Sequence, residues 1–242
     1  MRRLVVIGIG MGPQHVTPEA AAALSSVDYV LSFVKGADDP LVAVRAQVCR
    51  RFGDVPLVVV PDPPRDRADP ADYPAAVRDW HAARVAAYRQ VLTERPGDVA
   101  LLAWGDPSLY DSTLRLVDAL AADGDVTVEV VAGISAPQLL AARHRVVLHE
   151  VGQPVHVTTG RRLREAVDAG QDNLVVMLNS TVRLDGLADW QVWYGANLGA
   201  PGEQLVAGRV SDVQAQLVAA RERARAADGW VMDVLLLRRE RP

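Results

Sequence analysis

The sequence predicts two α/β domains, an N-terminal one built on a parallel sheet and a C-terminal one built on a mixed sheet. Two observations carry this. In the first half, short apolar runs alternate with helical patterns, which implies parallel strands joined by right-handed crossovers. In the second half, some strand-like runs follow one another with no helix between, so part of the pairing there must be antiparallel.

Taken in order, Leu4–Ile9 is a continuous apolar run ending in glycines, as in a buried parallel strand. Thr17-Pro18-Glu19 supplies an N-cap, a proline at the first helical position and an acid in the first turn, so a short helix runs to about Ser25. Val27–Phe33 reads as the second strand, Leu41–Phe52 as the second helix and Val55–Val60 as the third strand. The proline-rich stretch from Pro61 to Arg67 is a loop. Tyr73, Val77, Trp80, Ala83, Ala87 and Val91 recur at helical spacing and predict a long helix. Val99–Trp104 and Val126–Val131 are strands on either side of a helix over Leu114–Ala122. Further on, Val155–Thr159, Leu174–Leu178, Gln191–Tyr194, Gln204–Val210 and Trp230–Leu237 read as strands, and Arg161–Ala169 and Asp212–Ala227 as helices. Ser211 with Gln214 has the spacing of a capping box for the last helix. The boundary falls within Gly133–Val151, and we divide the chain into domains 1–134 and 135–242.

Composition narrows the function. The chain has 242 residues, half of them apolar and 23% charged, which excludes a wholly disordered polypeptide. Its one cysteine, Cys49, allows no internal disulfide and no cysteine zinc cage, which fits a reducing cytoplasm. A net charge of −4 argues against a general binder of nucleic acid or anionic membranes. No apolar run approaches the roughly 20 residues of a spanning helix. Met1–Met11 mimics a signal peptide, but Gly8 and Gly10 interrupt it and no A-x-A-like site follows, so it reads as a strand. Lys35 is the only lysine; genome composition accounts for this more simply than a need for many arginine forks.

Chemistry is suggested at three glycine turns, each following a strand. Gly8-Ile9-Gly10-Met11-Gly12 follows the first. Its spacing is neither the dinucleotide G-x-G-x-x-G nor a P-loop, although Asp28, about 20 residues on, mimics a ribose-binding acid. A ligand-facing turn, a phosphate cradle and a purely structural turn all remain open. Trp104-Gly105-Asp106-Pro107-Ser108-Leu109-Tyr110 follows the fourth strand, where open α/β sheets bind ligands; the plain alternative is that Asp106-Pro107 starts the next helix. Gly133-Ile134-Ser135-Ala136-Pro137 follows the fifth strand, and Ser135 can equally cap a helix. Arg143-His144-Arg145 and Arg161-Arg162-Leu163-Arg164 are basic clusters that are either solvated helix faces or binders of substrate carboxylates. The five histidines have no metal-ligand spacing, so no metal is expected. No nucleophile elbow is present.

Together the three turns, with Tyr110, resemble the tetrapyrrole methylase family. The likeness extends through Pro61–Arg67, Trp104–Leu116, Ala141–Arg145, Thr158–Leu163 and Gly229–Asp233, and so covers essentially the whole chain. Pro13 departs from the aspartate that family members commonly carry after the third glycine. The resemblance implies the two-domain tetrapyrrole methylase fold with the ligand cleft between the domains. It implies a methyltransferase of cobalamin biosynthesis that uses S-adenosyl-L-methionine, leaves S-adenosyl-L-homocysteine and needs no metal. The implied reaction is methylation of precorrin-5 at C-1 with release of acetate. By the same likeness Trp104, Gly105, Asp106, Leu109, Tyr110, Ser135 and Ala136 hold the donor. Met177, Leu178, Leu198, Ala207 and Met232 join them from the second domain; for these apolar positions a plain core role is an equal alternative.

The resemblance further implies that a polycarboxylate tetrapyrrole faces Gly10, and its acetate and propionate arms would favour the arginines Arg65, Arg67, Arg143, Arg145, Arg161 and Arg162. Methyl transfer from a sulfonium needs positioning and desolvation more than a protein nucleophile. Acetate release needs water at an acetyl carbonyl, and His144, Asp106 and Glu150 are candidate bases, His144 first. A homodimer is expected from the family, and neither nucleic acid nor membrane as partner. The alternatives are a relative acting at another corrin position or on ribosomal RNA or diphthine precursors, a nicotinamide-dependent oxidoreductase using Gly8–Gly12 and Asp28, and a non-catalytic ligand-binding module.

Overall fold

The computed structural model describes residues 2–36, 39–64, 73–122, 124 and 126–239. The chain divides into two compact units, Met1–Ile134 and Ser135–Pro242.

The described residues of the first unit contain strands β1 (Arg2–Gly8), β2 (Tyr29–Val34), β3 (Leu57–Pro61), β4 (Val99–Ala103) and β5 (Val126–Val131), with helices α1 (Pro18–Ser25), α2 (Pro40–Phe52), α3 (Tyr73–Glu94) and α4 (Thr113–Ala121). The strands form a parallel sheet in the order β3-β2-β4-β1-β5. β1 lies inside it, which is why its apolar run is continuous rather than alternating: Leu4 and Val6 face one layer, Val5 and Ile7 the other, and all four are fully buried. Each such side chain contributes about 1.5–3 kcal/mol of burial.

The two layers are separate cores. Val5, Ile7, Ala100 and Leu102 pack with Ala20 and Leu24 of α1 and Val48 and Cys49 of α2. Leu4, Val6, Leu31, Phe33 and Leu101 pack with Tyr88 of α3 and Leu116, Val117 and Leu120 of α4. In the second layer Phe33 stacks on Tyr88 at 4.0 Å, and Arg84 lies over both Phe33 and Trp80. Arg84 also pairs with Asp62, and the Trp80 indole donates to the Pro63 carbonyl, so α3 is tied to the chain leaving β3. The Thr17 hydroxyl accepts from the Ala20 amide and starts α1 as expected. The segment after β4 differs from the helix-start alternative. Asp106 accepts from the Ser108 amide and closes a turn, Asp111 accepts from Thr113, and α4 begins only at Thr113.

The second unit contains α5 (Ala136–His144), β6 (His156–Thr159), α6 (Leu163–Asp168), β7 (Asn173–Met177), β8 (Trp190–Ala196), β9 (Gln204–Arg209), α7 (Val210–Asp228) and β10 (Asp233–Arg239). Its sheet runs β6-β7-β10-β8-β9, with β6 and β7 parallel and the other pairs antiparallel, so it is mixed as expected. α5 is capped by Ser135, whose amide and hydroxyl both donate to the Gln138 side chain.

Two local expectations are corrected. Ser211 and Gln214 form no capping box: α7 already starts at Val210, and the Gln214 amide instead bonds the backbone of Val182 and Leu184. The last strand starts at Asp233 rather than Trp230, because Gly229 caps α7 with a φ of 73° and the Met232 amide is taken by the Asn197 side chain. Among the described residues no helix is long and apolar enough to cross a membrane.

Candidate functional site

In the first unit the glycine turns meet at the carboxyl edge of the parallel sheet, where such sheets bind ligands. β1 and β4 end in a reciprocal pair of hydrogen bonds, Gly10 amide to Gly105 carbonyl at 3.1 Å and Gly105 amide to Gly10 carbonyl at 2.8 Å. Gly10 and Gly105 both have left-handed φ, 63° and 71°, which a side chain resists. The turn after β5 packs against the same point. A Cβ on Gly133 would overlap the Gly105 carbonyl oxygen and lie 2.8 Å from Gly8 Cα, so three backbones touch there.

Asp106 joins these turns. Its Oδ1 accepts from the Ser108 amide and hydroxyl, and its Oδ2 from the Gly133 amide at 2.8 Å. Burial pushes its carboxyl up, but the Ser108 and Gly133 hydrogen bonds outweigh this and hold it below the usual carboxylate range. Trp104 and Leu109 are half-buried beside it. Tyr110, with a φ of 50°, is 48% exposed and presents an aromatic surface. Asp28 lies elsewhere: it immediately precedes β2, at the amino edge of the sheet, and accepts from the Asp98 amide. The dinucleotide reading needs an acid at the carboxyl edge, so Asp28 does not serve it.

In the second unit Met177, Leu178, Leu198 and Met232 come to one edge of the mixed sheet, where β7 and β8 end and β10 begins. Leu178 has a φ of 54° and is 64% exposed, whereas Leu198 is buried. Ala207 sits in mid-β9 opposite Trp193, not at this edge. Ser135 is buried at the start of α5, with Ala136 its first helical residue. The basic candidates differ among themselves. Arg143 pairs with Glu203 at 2.9 Å and Arg162 with Glu165, whereas Arg145 and Arg161 are exposed. Arg65 and Arg67 lie outside the described residues. His144 places Nε2 2.9 Å from the Tyr194 carbonyl, and Glu150 is exposed. Among the described residues no group of three His, Cys, Asp or Glu is arranged to hold a metal.

The edge of the second unit depends on polar residues with no obvious sequence signal. Asp233, with a side chain 1% exposed, accepts from Arg221, the Tyr194 hydroxyl and the Asn179 amide. Burial pushes the Asp233 carboxyl up, and burial likewise raises the Tyr194 phenol. Arg221 also donates to the Asn179 and Ser180 carbonyls, which clamps the chain just after Leu178. Asn197, fully buried with a φ of 48°, exchanges main-chain and side-chain hydrogen bonds with Met232 and donates to Asp228 and the Trp230 carbonyl. Scattered Asn, Asp and Arg have no period, so only the folded chain reveals the cluster.

The fold and this arrangement define a class. The profile of the Tetrapyrrole (Corrin/Porphyrin) Methylases matches residues 3–214, and the chain belongs to that family of methyltransferases. The chain is 39% identical to a protein of Sinorhizobium sp. named precorrin-6A synthase [deacetylating], over 99% of this chain and 96% of that one. Among solved structures, a cobalamin synthesis related protein (CobF) of Corynebacterium diphtheriae is 33% identical with a TM-score of 0.83, covering 98% and 99% of the two chains. Uroporphyrin-III C-methyl transferase of Thermus thermophilus, solved with S-adenosyl homocysteine, shares the fold at 19% identity with a TM-score of 0.61, over 97% and 91%.

Proposed function

We propose that this protein methylates precorrin-5 at C-1, using S-adenosyl-L-methionine, and releases acetate to give precorrin-6A. The observation that carries the proposal is the near full-length likeness to the Sinorhizobium enzyme of that name. The residues suit a sulfonium donor. The turns 8–12, 104–110 and 133–135 contain no lysine or arginine, so they fit a ligand without phosphate. Asp106 supplies a carboxylate that stays ionised, and exposed Tyr110 and Leu178 supply apolar surface.

When bound, the donor supplies an electrophilic methyl group. Trp104, Gly105, Asp106, Leu109, Tyr110, Ser135, Ala136, Met177, Leu178, Leu198 and Met232 would hold it. Their task is to orient the methyl group in line with the ring carbon and to keep water away. Gly10 faces the tetrapyrrole, and Arg143, Arg145, Arg161 and Arg162, with Arg65 and Arg67, receive its carboxylates. His144 acts as base for the water that releases acetate. With Nε2–H donating to the Tyr194 carbonyl, Nδ1 keeps the lone pair that takes the proton. The enzyme works in the cytoplasm as a homodimer.

The test has two steps. Calorimetric titration should find saturable one-site binding of S-adenosyl-L-homocysteine and none of NADH; the reverse would remove the methyltransferase reading. Incubation with precorrin-5 and donor should then yield methylated product and one acetate per turnover. Methylation without acetate would shift the assignment to another corrin position.

A further inference from the structure

The first unit holds a cavity distinct from the glycine turns. It opens at the carboxyl edge of the parallel sheet between β2 and β4. These strands pair only at Tyr29↔Val99 and Val30↔Ala100 and part beyond that point. β2 leads to α2 on one face of the sheet and β4 to α4 on the other. Neighbouring strands whose connections leave to opposite faces open a crevice at their carboxyl ends. The crevice encloses about 120 Å³ and is lined by Lys35, Asp39, Arg45, Arg84, Tyr88 and Thr113, among others.

Its charges do not balance. Arg45 of α2 donates through Nε to the Leu102 carbonyl at 3.0 Å. Among the described residues its guanidinium has no other hydrogen bond and no ion pair. Burial pulls its pKa below the ordinary value, an effect that Tyr88, Asp39 and Asp111 oppose without cancelling. Arg84 is neutralised by Asp62 at 2.9 Å. Asp39 is already engaged, its two oxygens accepting from the Leu41 and Lys35 amides. Lys35, the only lysine of the chain, adds a further cation. Against Lys35, Arg45 and Arg84 stand Asp39 and the Asp62 that pairs with Arg84, so one positive charge is in excess, with guanidinium donors that the protein leaves unused.

Size then selects the ligand. The space admits a small polar group such as the carboxylate end of a short side arm and is far too small for a macrocycle. We propose that this crevice is a carboxylate subsite in which Arg45, helped by Lys35, grips the end of an acetate or propionate arm of the tetrapyrrole. Arginine suits this because its fork matches both carboxylate oxygens. The inference rests on the substrate reading above.

The test uses the full chain, Arg45→Gln and Lys35→Gln. Calorimetry with S-adenosyl-L-homocysteine comes first; unchanged affinity in both variants shows that they are folded with the donor site intact. KM for precorrin-5 should then rise about tenfold in Arg45→Gln and about threefold in Lys35→Gln, with kcat within about twofold of the parent. Propionate should compete with precorrin-5 and slow acetylation of Lys35, read by peptide mass spectrometry, in the parent but not in Arg45→Gln. Inhibition by acetate that precorrin-5 does not relieve would instead assign the crevice to released acetate and overturn the substrate arm. If Arg45→Gln does not fold, Lys35→Gln decides by the same KM. A parent enzyme inert towards precorrin-5 would sink the substrate reading, and Lys35 protection would then decide the carboxylate site separately. Unchanged KM in the folded variants, without protection of Lys35, overturns the inference.

Discussion

The Asp106 carboxylate accepts the Gly133 amide at 2.8 Å, joining the turns that follow β4 and β5. Asp106→Ala removes this bond and both Ser108 bonds. A hydrogen bond to a charged group contributes about 1.5–3 kcal/mol, and the two solvent-exposed Ser108 bonds add little to the Gly133 bond, so stability should fall by about 2 kcal/mol in a urea titration. Donor affinity should fall with it, about tenfold by calorimetry. Because the folded carboxyl lies below its unfolded value, the Asp106 contribution is present above the unfolded pKa and is lost as pH falls through the folded one. The gap between parent and variant should therefore close in strong acid. A constant gap across that range would count against the role.

Gly133→Ala tests the contact of the three backbones. Its Cβ would overlap the Gly105 carbonyl oxygen and crowd Gly8 Cα, and neither is a flexible side chain that can swing away. We expect a loss of at least about 3 kcal/mol, at the upper end of single substitutions, or no soluble protein. The control is Gly124→Ala, where a Cβ meets nothing within 4 Å. Gly124 has a φ of 81°, so the control isolates backbone strain from collision.

The parallel sheet was legible because its inner strands, such as β1, are buried on both faces and write themselves as unbroken apolar runs, while the exposed edge strand β5 shows as a stretch of β-branched residues. Val126–Val131 coincides with the strand, and Thr17-Pro18-Glu19 locates α1 to the residue. The glycine turns were legible because positive φ and close backbone approach leave few other residues possible. The capping box at Ser211 failed since its spacing says nothing of who else wants the Gln214 side chain, and the Val182–Leu184 backbone takes it. Arg45 was hidden because one arginine on an amphipathic helix looks like its solvated neighbours until the sheet edge is in place. Asn197, Arg221 and Asp233 lie far apart in sequence and meet only through β8, α7 and β10.

Asp233→Asn should leave the Arg221 guanidinium without its buried counter-ion. Breaking one side of a buried pair costs about 3–5 kcal/mol, more than removing an exposed pair such as Arg162–Glu165. The same change loosens the clamp on Asn179 and Ser180, next to Leu178. Thermal unfolding should show a large loss for Asp233→Asn and almost none for Glu165→Gln. Equal losses would show that the pair does not anchor this edge.

Cys49 is 2% exposed on the inner face of α2, and burial pushes its thiol up to about 11. At pH 8 the thiolate fraction is about one in a thousand, and the thiolate is the reactive form. Native protein should therefore resist a disulfide colour reagent at pH 8, and guanidinium should release one thiol per chain. Rapid labelling of the native protein would contradict this burial.

His144 separates two chemical steps. With Nε2–H held by the Tyr194 carbonyl, Nδ1 is the basic atom. A general base contributes about 10²–10⁴-fold, so His144→Ala should slow acetate release by at least about a hundredfold. Methyl transfer, which needs no base, should change little if the two products are measured separately. His144→Gln keeps a donor near the Nε2 position and so preserves the tie to β8, but it has no basic nitrogen. It should match His144→Ala in acetate release while recovering the thermal stability that His144→Ala loses. Full acetate release by His144→Gln would mean that the imidazole only anchors α5, and the base must then be sought elsewhere, Glu150 first.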